Sequence, residues 1–461
     1  MSFPKYEAYK DSGVEWLGVV PEHWDVAPLK HLVSIPVTDG PHETPNFIDD
    51  GVLFISAEAV SSGKIDFTKS KYISREDHNR FSKKYKPQKH DIYMVKSGAT
   101  TGITAIIETD DEFSIWSPLA VIRCSQNHHP YFVLFSMRSR SFQESVVLHW
   151  SFGTQQNIGM SVIENLPIAY PPHNEQIQIA RFLDHETARI DALIAEQQRL
   201  IELQKEKRQA VISHAVTKGC DRTAPMKDSG VEWLGEVPAH WTIGRVKNVA
   251  SFITSGPRGW SDYIDEAATD IFLQSGDLDD QLNVNFKNAK RINAPEGAEG
   301  VRTRICGGDV LVCITGANTG RVAVINAVNE TAYVNQHLGL IRPITSKCYS
   351  RYLAYSLASV ACQTYFGVEQ YGLKVGLSLT DLAEAPLALP PLSEQIQLVL
   401  QIESEIVKLD TLETEVDITV TLLQERRSAL ISAAVTGKID VRGWQPPASA
   451  APAAPRSVAC G

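Results

Sequence analysis

The chain has 461 residues, with 43% hydrophobic and 21% charged positions, an ordinary balance for a globular protein long enough to hold several domains. No apolar run approaches the roughly 20 residues of a membrane span, and the opening MSFPKYEAYK has no signal-like stretch, so no membrane partner and a cytoplasmic location are expected. Seven cysteines without CxxC spacing argue against a disulfide framework or a zinc site, and a formal charge of -10 argues against a uniformly basic free nucleic-acid binder.

Read in chain order, the sequence is written twice. A Trp-rich opening, Lys10–Trp24 (KDSGVEWLGVVPEHW), returns at Lys227–Trp241 with changes only at Val19/Glu236 and Glu22/Ala239. After the first opening come short β-rich runs at Val52–Ile55, Asp91–Val95 and Ile103–Ile107, then a predicted helix over Tyr131–Leu148. YPPHNEQIQ at Tyr170 is echoed by LPPLSEQIQ at Leu389, and RQAVISHAVT at Arg208 by RSALISAAVT at Arg427. Between the echoes lie runs at Val310–Ile314, Val322–Ile325 and Leu338–Ile341 and a second predicted helix over Ser350–Phe366. The offset stays at 217–219 residues throughout, a common register that chance matches could not hold.

Each Pro-Pro opens a long helix. Asn174 and Ser393 suit the N-cap, and Glu175 and Glu394 sit where the helix dipole favours acid. Apolar positions then step by seven. In the second helix Ile402, Leu409, Val416, Leu423 and Leu430 form the stripe with Leu412 beside it; the equivalent positions in the first are Leu183, Ile190, Gln197, Gln204 and Val211, with Leu193 and Leu200 alongside. Such a seam, roughly 60 Å long at 1.5 Å per residue, predicts a coiled coil. Two matching seams in one chain favour antiparallel pairing with each other; packing of each on its own mixed domain is the alternative. The expected fold class is therefore α+β: two mixed α/β modules separated by two long antiparallel coiled-coil helices, as a pseudo-twofold tandem repeat. The expected divisions are 1–25 for the opening repeat segment, 26–165 for module one, 166–220 for the central helix and 221–243 for the second opening. Module two follows at 244–384, the C-terminal helix at 385–440 and a disordered Ala/Pro tail at 441–461.

These residues resemble the specificity subunits of type I restriction–modification systems, over nearly the whole chain and twice. The carriers are the two KDSGVEWLG openings, the PP-x-x-EQ helix starts, and VTDGPHETPNF (Val37–Phe47), GVLFISAEAV, KYIS, TSGPRGWSDY (Thr254–Tyr263) and GGDVLVCITGANTG (Gly307–Gly320). The resemblance implies two target recognition domains, each reading one half of an asymmetric split sequence in double-stranded DNA. It also implies two methyltransferase subunits and motor–nuclease restriction subunits as partners. S-adenosylmethionine, ATP and Mg are then expected on those partners, with no cofactor, metal or catalytic residue in this chain.

Within that frame, polar turns supply the candidate DNA contacts. Asp39, Gly40, His42 and Thr44 lie between apolar runs, with Ser255, Gly256, Arg258 and Trp260 at the matching place; Arg commonly pairs with guanine. Gln155, Gln156 and Asn157 in FGTQQNIG, and Lys374 in YGLKVG, are further candidates, Gln and Asn being suited to adenine. The basic residues Arg80, Lys83, Lys84, Lys86, Lys89, Lys290 and Arg291 could meet phosphates or be a solvated face. The Gly loops with Ser97 and Thr100, and with Asn318 and Thr319, lack the Lys-Ser/Thr of a P-loop, leaving a tight hairpin turn or a backbone seat for phosphate. His23, His240, Trp16, Trp24, Trp233 and Trp241 are expected to pack or to dock a partner rather than to bind metal or stack bases. Tyr170-Pro171-Pro172 lacks the flanking Asp/Asn and aromatic of the methyltransferase loop, and no nucleophile–histidine pair stands out. A coiled-coil protein-interaction scaffold and a self-contained methyltransferase are the competing readings.

Overall fold

The computed structural model describes residues 3–152, 156–370 and 376–447. It divides into two compact units, Met1–Gln197 with Ile418–Gly461, and Gln198–Asp417. Both dividing lines cross a long helix, so each unit combines one mixed lobe with a stretch of both helices. These helices run His173–Lys218 and Leu392–Val435.

In the first unit the opening forms a hairpin, Tyr9–Asp11 against Val19–Pro21, turned by Gly13 and Gly18 at positive φ. Trp24 follows, fully buried, and its indole Nε1 donates to Glu175 Oε1 at 3.1 Å while His23 Nε2 lies 2.9 Å from Oε2. The second unit repeats this. Trp241 Nε1 donates to Glu394 Oε1 at 3.0 Å, and His240 Nε2 lies 2.9 Å from Oε2. Each first-turn glutamate, favoured there by the dipole, thus also satisfies a buried N–H. Next, Asp25–Pro28 pairs antiparallel with Pro167–Tyr170, and Thr242–Arg245 pairs with Pro386–Leu389. The chain leaves and re-enters the helical frame through two adjacent strands, so each lobe is an excursion with its ends tied together.

The first lobe holds an antiparallel sheet in the order Thr38–Asp39, Leu119–Ile122, Ile92–Val95, Thr104–Ile106, beside a sheet in which Phe113–Ile115 runs parallel to Val52–Ile55. Alternation along the central strands explains the layering. Ile92, Met94, Ala120 and Ile122 join the core that includes the helices over 130–149, whereas Tyr93, Val95, Leu119 and Val121 share a core with Ile55, Phe113 and Ile115. The second lobe sorts the same way, with Val310 and Val312 on one face and Leu311 and Cys313 on the other. The strands expected at Asp91–Val95, Ile103–Ile107 and Val310–Ile314 are present within a residue or two.

Four expectations change. The helix expected over Tyr131–Leu148 is two helices, Pro130–Arg138 and Arg140–His149, because Ser139 is extended (ψ 151°) and caps the second with its hydroxyl. Ser359 divides Ser350–Phe366 into Ser350–Ala358 and Val360–Glu369 in the same way. On the long helices Leu183, Ile190, Ile402, Leu409 and Val416 are buried, but Leu193, Leu200 and Leu412 are exposed, by 46%, 41% and 45%. A stripe of period seven can take its companion three or four residues on, and here packing selects the fourth, half-burying Ile194, Ile201 and Glu413. Val211, Leu423 and Leu430 are half-buried, while Ile212 and Ile431 are fully so. The seam slips by one residue there, as a 3.6-residue helix does against a 3.5-residue repeat. The expectation of a disordered tail from 441 fails for 441–447. Val441 is in the core, the Trp444 ring lies 5.4 Å from that of Phe182, and Gln178 Nε2 donates to the Trp444 carbonyl at 2.6 Å.

Polar contacts between the helices repeat as well. In the first unit Arg427 Nε donates to Asp191 at 2.7 Å, and Ser432 Oγ accepts from the Arg140 amide at 2.8 Å. In the second, Arg208 pairs with Asp410, and Ser213 Oγ accepts from the Val360 amide at 2.9 Å. Arg208, Asp410 and Ser213 stand 219 residues from Arg427, Asp191 and Ser432, and Val360 stands 220 from Arg140.

Candidate nucleic-acid interface

In the first unit three connecting segments meet at one end of the central sheet. The turn Ser97–Gly102 joins strands Ile92–Val95 and Thr104–Ile106; Ser97 bridges Asn157, and the Gly98 amide donates to the Gln156 carbonyl at 3.0 Å. The turn after Asp39 reaches the same place, because Gly40 lies so close to the neighbouring strand that a Cβ would stand 2.2 Å from the Ile115 carbonyl. Gly256 is pressed against Val334 in the same way in the second unit. These two glycines are required by backbone approach.

Asp39 is fully buried, so its carboxylate does not face outward as expected of a base contact. Lys84 Nζ donates to Asp39 Oδ1 at 2.5 Å and to the Gly40 carbonyl at 3.1 Å; Lys96 Nζ and His42 Nε2 each lie 3.2 Å from Oδ2. Burial pushes the Asp39 carboxyl up, but Lys84 and then Lys96 more than offset it and hold the group below its ordinary range. His42, Thr44, Lys83 and Asn157 are exposed; Ser97, Thr100 and Gln156 are half-buried. Much of the basic run is internally paired. Arg80 meets Glu43 and Asp77, Lys86 and Arg75 meet Glu112, and Lys89 meets Asp110. Gln155 lies outside the described residues.

The Gly loops are hairpin turns. The Gly102 amide donates to the Val95 carbonyl and that of Gly320 to Cys313, both at 2.8 Å, and Gly98, Gly102, Gly316 and Gly320 all have φ between 91° and 103°. Gln143 and Gln363 cap the two turns by donating to the Gly102 and Gly320 carbonyls. The Thr319 hydroxyl is spent inside the turn, on the Gly316 carbonyl at 2.7 Å, and Asn318 Nδ2 donates to the Ser275 carbonyl at 3.3 Å.

In the second unit the corresponding edge gathers Ser255, Gly256, Thr315 and His337, with Thr315 bridging Gly376. His337 Nδ1 lies 2.5 Å from Thr315 Oγ1, and its Nε2 3.1 Å from Gln336 Nε2. Arg258, two residues after Gly256, is exposed. Trp260, expected at the interface, is buried against Phe272 and Tyr333 and belongs to the core of the other sheet. Lys290 and Arg291 also lie in that sheet. Lys290 is exposed, whereas Arg291 is tied to Glu330 and to the Thr269 carbonyl. Lys374 lies outside the described residues. Lys96 and His337 were not expected from the sequence. Lys96 directly precedes the Gly turn, which could have marked it, but His337 aligns with Pro118 of the first copy and carries no motif.

Among the described residues no group of three or more His, Cys, Asp or Glu is placed to hold a metal ion, and no helix is long and apolar enough to cross a membrane.

A lobe built twice, each with its loops at one sheet edge and its ends clamped in a helical frame, defines a duplicated recognition protein. The chain belongs to the type I restriction modification DNA specificity family, whose model matches residues 46–204 and again 241–424. It is 21% identical to the type I restriction enzyme EcoKI specificity subunit of Escherichia coli K12, over 93% of this chain and 91% of that one. Identity is 27% to the putative MjaX specificity subunit of Methanocaldococcus jannaschii, over 55% of this chain and 58% of that protein. The fold is shared with a chain from a structure on complex assembly and conformational transition of the type I R-M system. That likeness has TM-score 0.67 and 17% identity, covering 90% of this chain and 98% of the other. The HsdS subunit from Thermoanaerobacter tengcongensis is similar at TM-score 0.50 and 17% identity, over 91% and 98%.

Proposed function

We propose that this specificity subunit reads an asymmetric, two-part sequence in double-stranded DNA, one part per lobe, and positions methyltransferase and restriction subunits on it. The observation that carries this is the register of the duplication. The openings recur at an offset of 217 and the first-turn glutamates and helix Arg–Asp pairs at 219, while at the loop edge Asp39, His42, Thr44 and Lys96 are replaced by Ser255, Arg258, Trp260 and Ile314. In this reading the two long helices pair antiparallel as a coiled-coil spacer, and the pseudo-twofold relation of the units follows that of the DNA backbone. Exposed His42, Thr44, Lys83 and Asn157 in one lobe, and Arg258 with half-buried Ser255 in the other, are the groups offered to base edges and phosphates. The chain itself performs no catalysis. Two methyltransferase subunits bring S-adenosylmethionine, and restriction subunits bring ATP and Mg.

Methylome sequencing of cells expressing the chain with its methyltransferase tests this directly. A bipartite methylated motif is expected. Replacing 26–165, whose ends are tied by the Asp25–Pro28/Pro167–Tyr170 pair, with a relative's lobe is expected to change one half of that motif only. A motif that is contiguous, or that changes in both halves, overturns the reading.

A further inference from the structure

The first lobe contains a charge cluster without a counterpart among the described residues of the second. Asp39 ends its strand with a fully buried carboxylate, and burying an anion is costly unless cations and hydrogen bonds compensate. One cation would neutralise it. Here two ammonium groups do so, from Lys84 and Lys96, and the side chain of Lys84 is 47% exposed while that of Lys96 is 13% exposed. The trio keeps one surplus positive charge. An ammonium has three N–H donors. Lys84 spends two, on Asp39 and the Gly40 carbonyl, and Lys96 is drawn to Asp39 alone, so donors remain on both. Lys96 directly precedes the Gly turn that bridges Asn157, so these donors stand among the convergent loops.

At the duplicated positions the second lobe has Ser255 for Asp39 and Ile314 for Lys96, as fixed by the matching close approaches of Gly40 and Gly256 and the matching Gly turns. Its edge is joined by the Thr315–His337 contact instead. Among the described residues, surplus cations are paired with a buried anchor at the first lobe's edge and not at the second's.

We propose that Asp39 is a positioning residue, which fixes Lys84 and Lys96 as a clamp on a DNA backbone phosphate in the half-site read by the first lobe. This rests on the DNA-reading function proposed above. A phosphate oxygen accepts from the free ammonium donors, and the surplus charge of the trio is neutralised. The first half-site is then held with a charge-dependent contact for which Ser255 and Ile314 of the second lobe offer no equivalent.

The test uses the assembled specificity–methyltransferase complex and a duplex carrying its methylated motif. For Lys84→Gln, the slope of log affinity against log salt is expected to become shallower by about 1, as for loss of one phosphate contact. Neutral methylphosphonate linkages scanned along the duplex supply a second measurement that needs no variant. Wild-type affinity should fall at one linkage in the first half-site, and that same linkage should cost Lys84→Gln little or nothing more. Asp39→Asn should weaken binding in the same half, with Asp39→Glu restoring part of it, whereas a purely structural role would lower the melting temperature and leave the salt slope unchanged. An unchanged slope for Lys84→Gln, with no methylphosphonate position at which the wild type and the variant differ, overturns the proposal. A wild-type complex that shows no bipartite motif at all would sink the DNA-reading function instead, so the two failures are distinguishable.

Discussion

The two lobes agree where they carry load and differ where they face outward. Trp24–Glu175 and Trp241–Glu394, Asp91–Arg123 and Asp309–Arg342, and Ser432–Arg140 and Ser213–Val360 are the same contacts made twice. At the loop edge, by contrast, an ion cluster around Asp39 stands where the other lobe has Ser255, Thr315 and His337. Substitution of a clamped, buried group leaves a cavity or an unpaired polar atom, so those positions tolerate little change. Exposed turn residues cost little to exchange. A duplicated protein can therefore alter what each half contacts while keeping one frame.

The largest break in this symmetry is expected from the clamps. Trp24→Ala removes a fully buried indole and orphans part of Glu175, which should cost about 3–5 kcal/mol. Trp241→Ala should cost a like amount in the other unit. Because a protein of two units need not unfold in one step, unit-resolved hydrogen exchange is the suitable readout, with each substitution loosening its own unit first. Equal loosening of both by either substitution would contradict the division into units.

The Asp–Arg pairs sharpen the comparison. Arg123 Nε and Nη2 both donate to Asp91 at 2.7 Å, and Asp91 also accepts from the Tyr85 hydroxyl at 2.6 Å. Arg342 repeats the fork on Asp309 at 2.8 Å, but its side chain is 34% exposed against 21% for Arg123. Asp91→Asn leaves a more enclosed guanidinium uncompensated and should cost about 3 kcal/mol. Asp309→Asn should cost less, since water reaches Arg342. The ranking is checked by denaturant unfolding followed within each unit.

Next come the serines that receive a helix from the neighbouring long helix. Ser432→Ala and Ser213→Ala each orphan one first-turn amide, of Arg140 and Val360, and should cost about 1 kcal/mol apiece. Near-equal losses would extend the symmetry of the frame, and a loss in one unit alone would break it.

How much of this was legible in the sequence follows from which contacts are local. The duplication, the long helices and the central strands were readable because Trp24, Glu175 and the β-rich apolar runs at 92–95 and 310–313 carry short-range patterns. The split at Ser139 was not, since a serine in an apolar helical pattern reads as helix until its hydroxyl finds the Phe142 amide. The companion stripe was misread because Leu193 and Ile194 are both apolar, and only the partner decides which is covered. At the loop edge the segments were found but not their roles. Asp39 and Trp260 look like polar and aromatic reading residues, yet pairing across 45 residues buries one and ring packing buries the other.

The smallest predicted effect separates the lobes by pH. The folded-state pKa of Asp39 is depressed, so the stability it contributes is fully present above the ordinary aspartate value, about 3.9. That contribution is lost as pH falls through the lower folded value, because a protonated Asp39 no longer balances Lys84 and Lys96 inside the edge. Ser255 does not titrate, so the second lobe has no such loss at the matching place. Between about pH 4 and more acidic conditions, amide exchange around Thr38–Asp39 and Lys96–Gly102 should therefore rise before that around Ser255 and Thr315–Gly320. Asp39→Asn should remove the difference. If both edges loosened together in the wild type, the acid response would belong to the frame that the two lobes share, and the cluster would make no separate contribution.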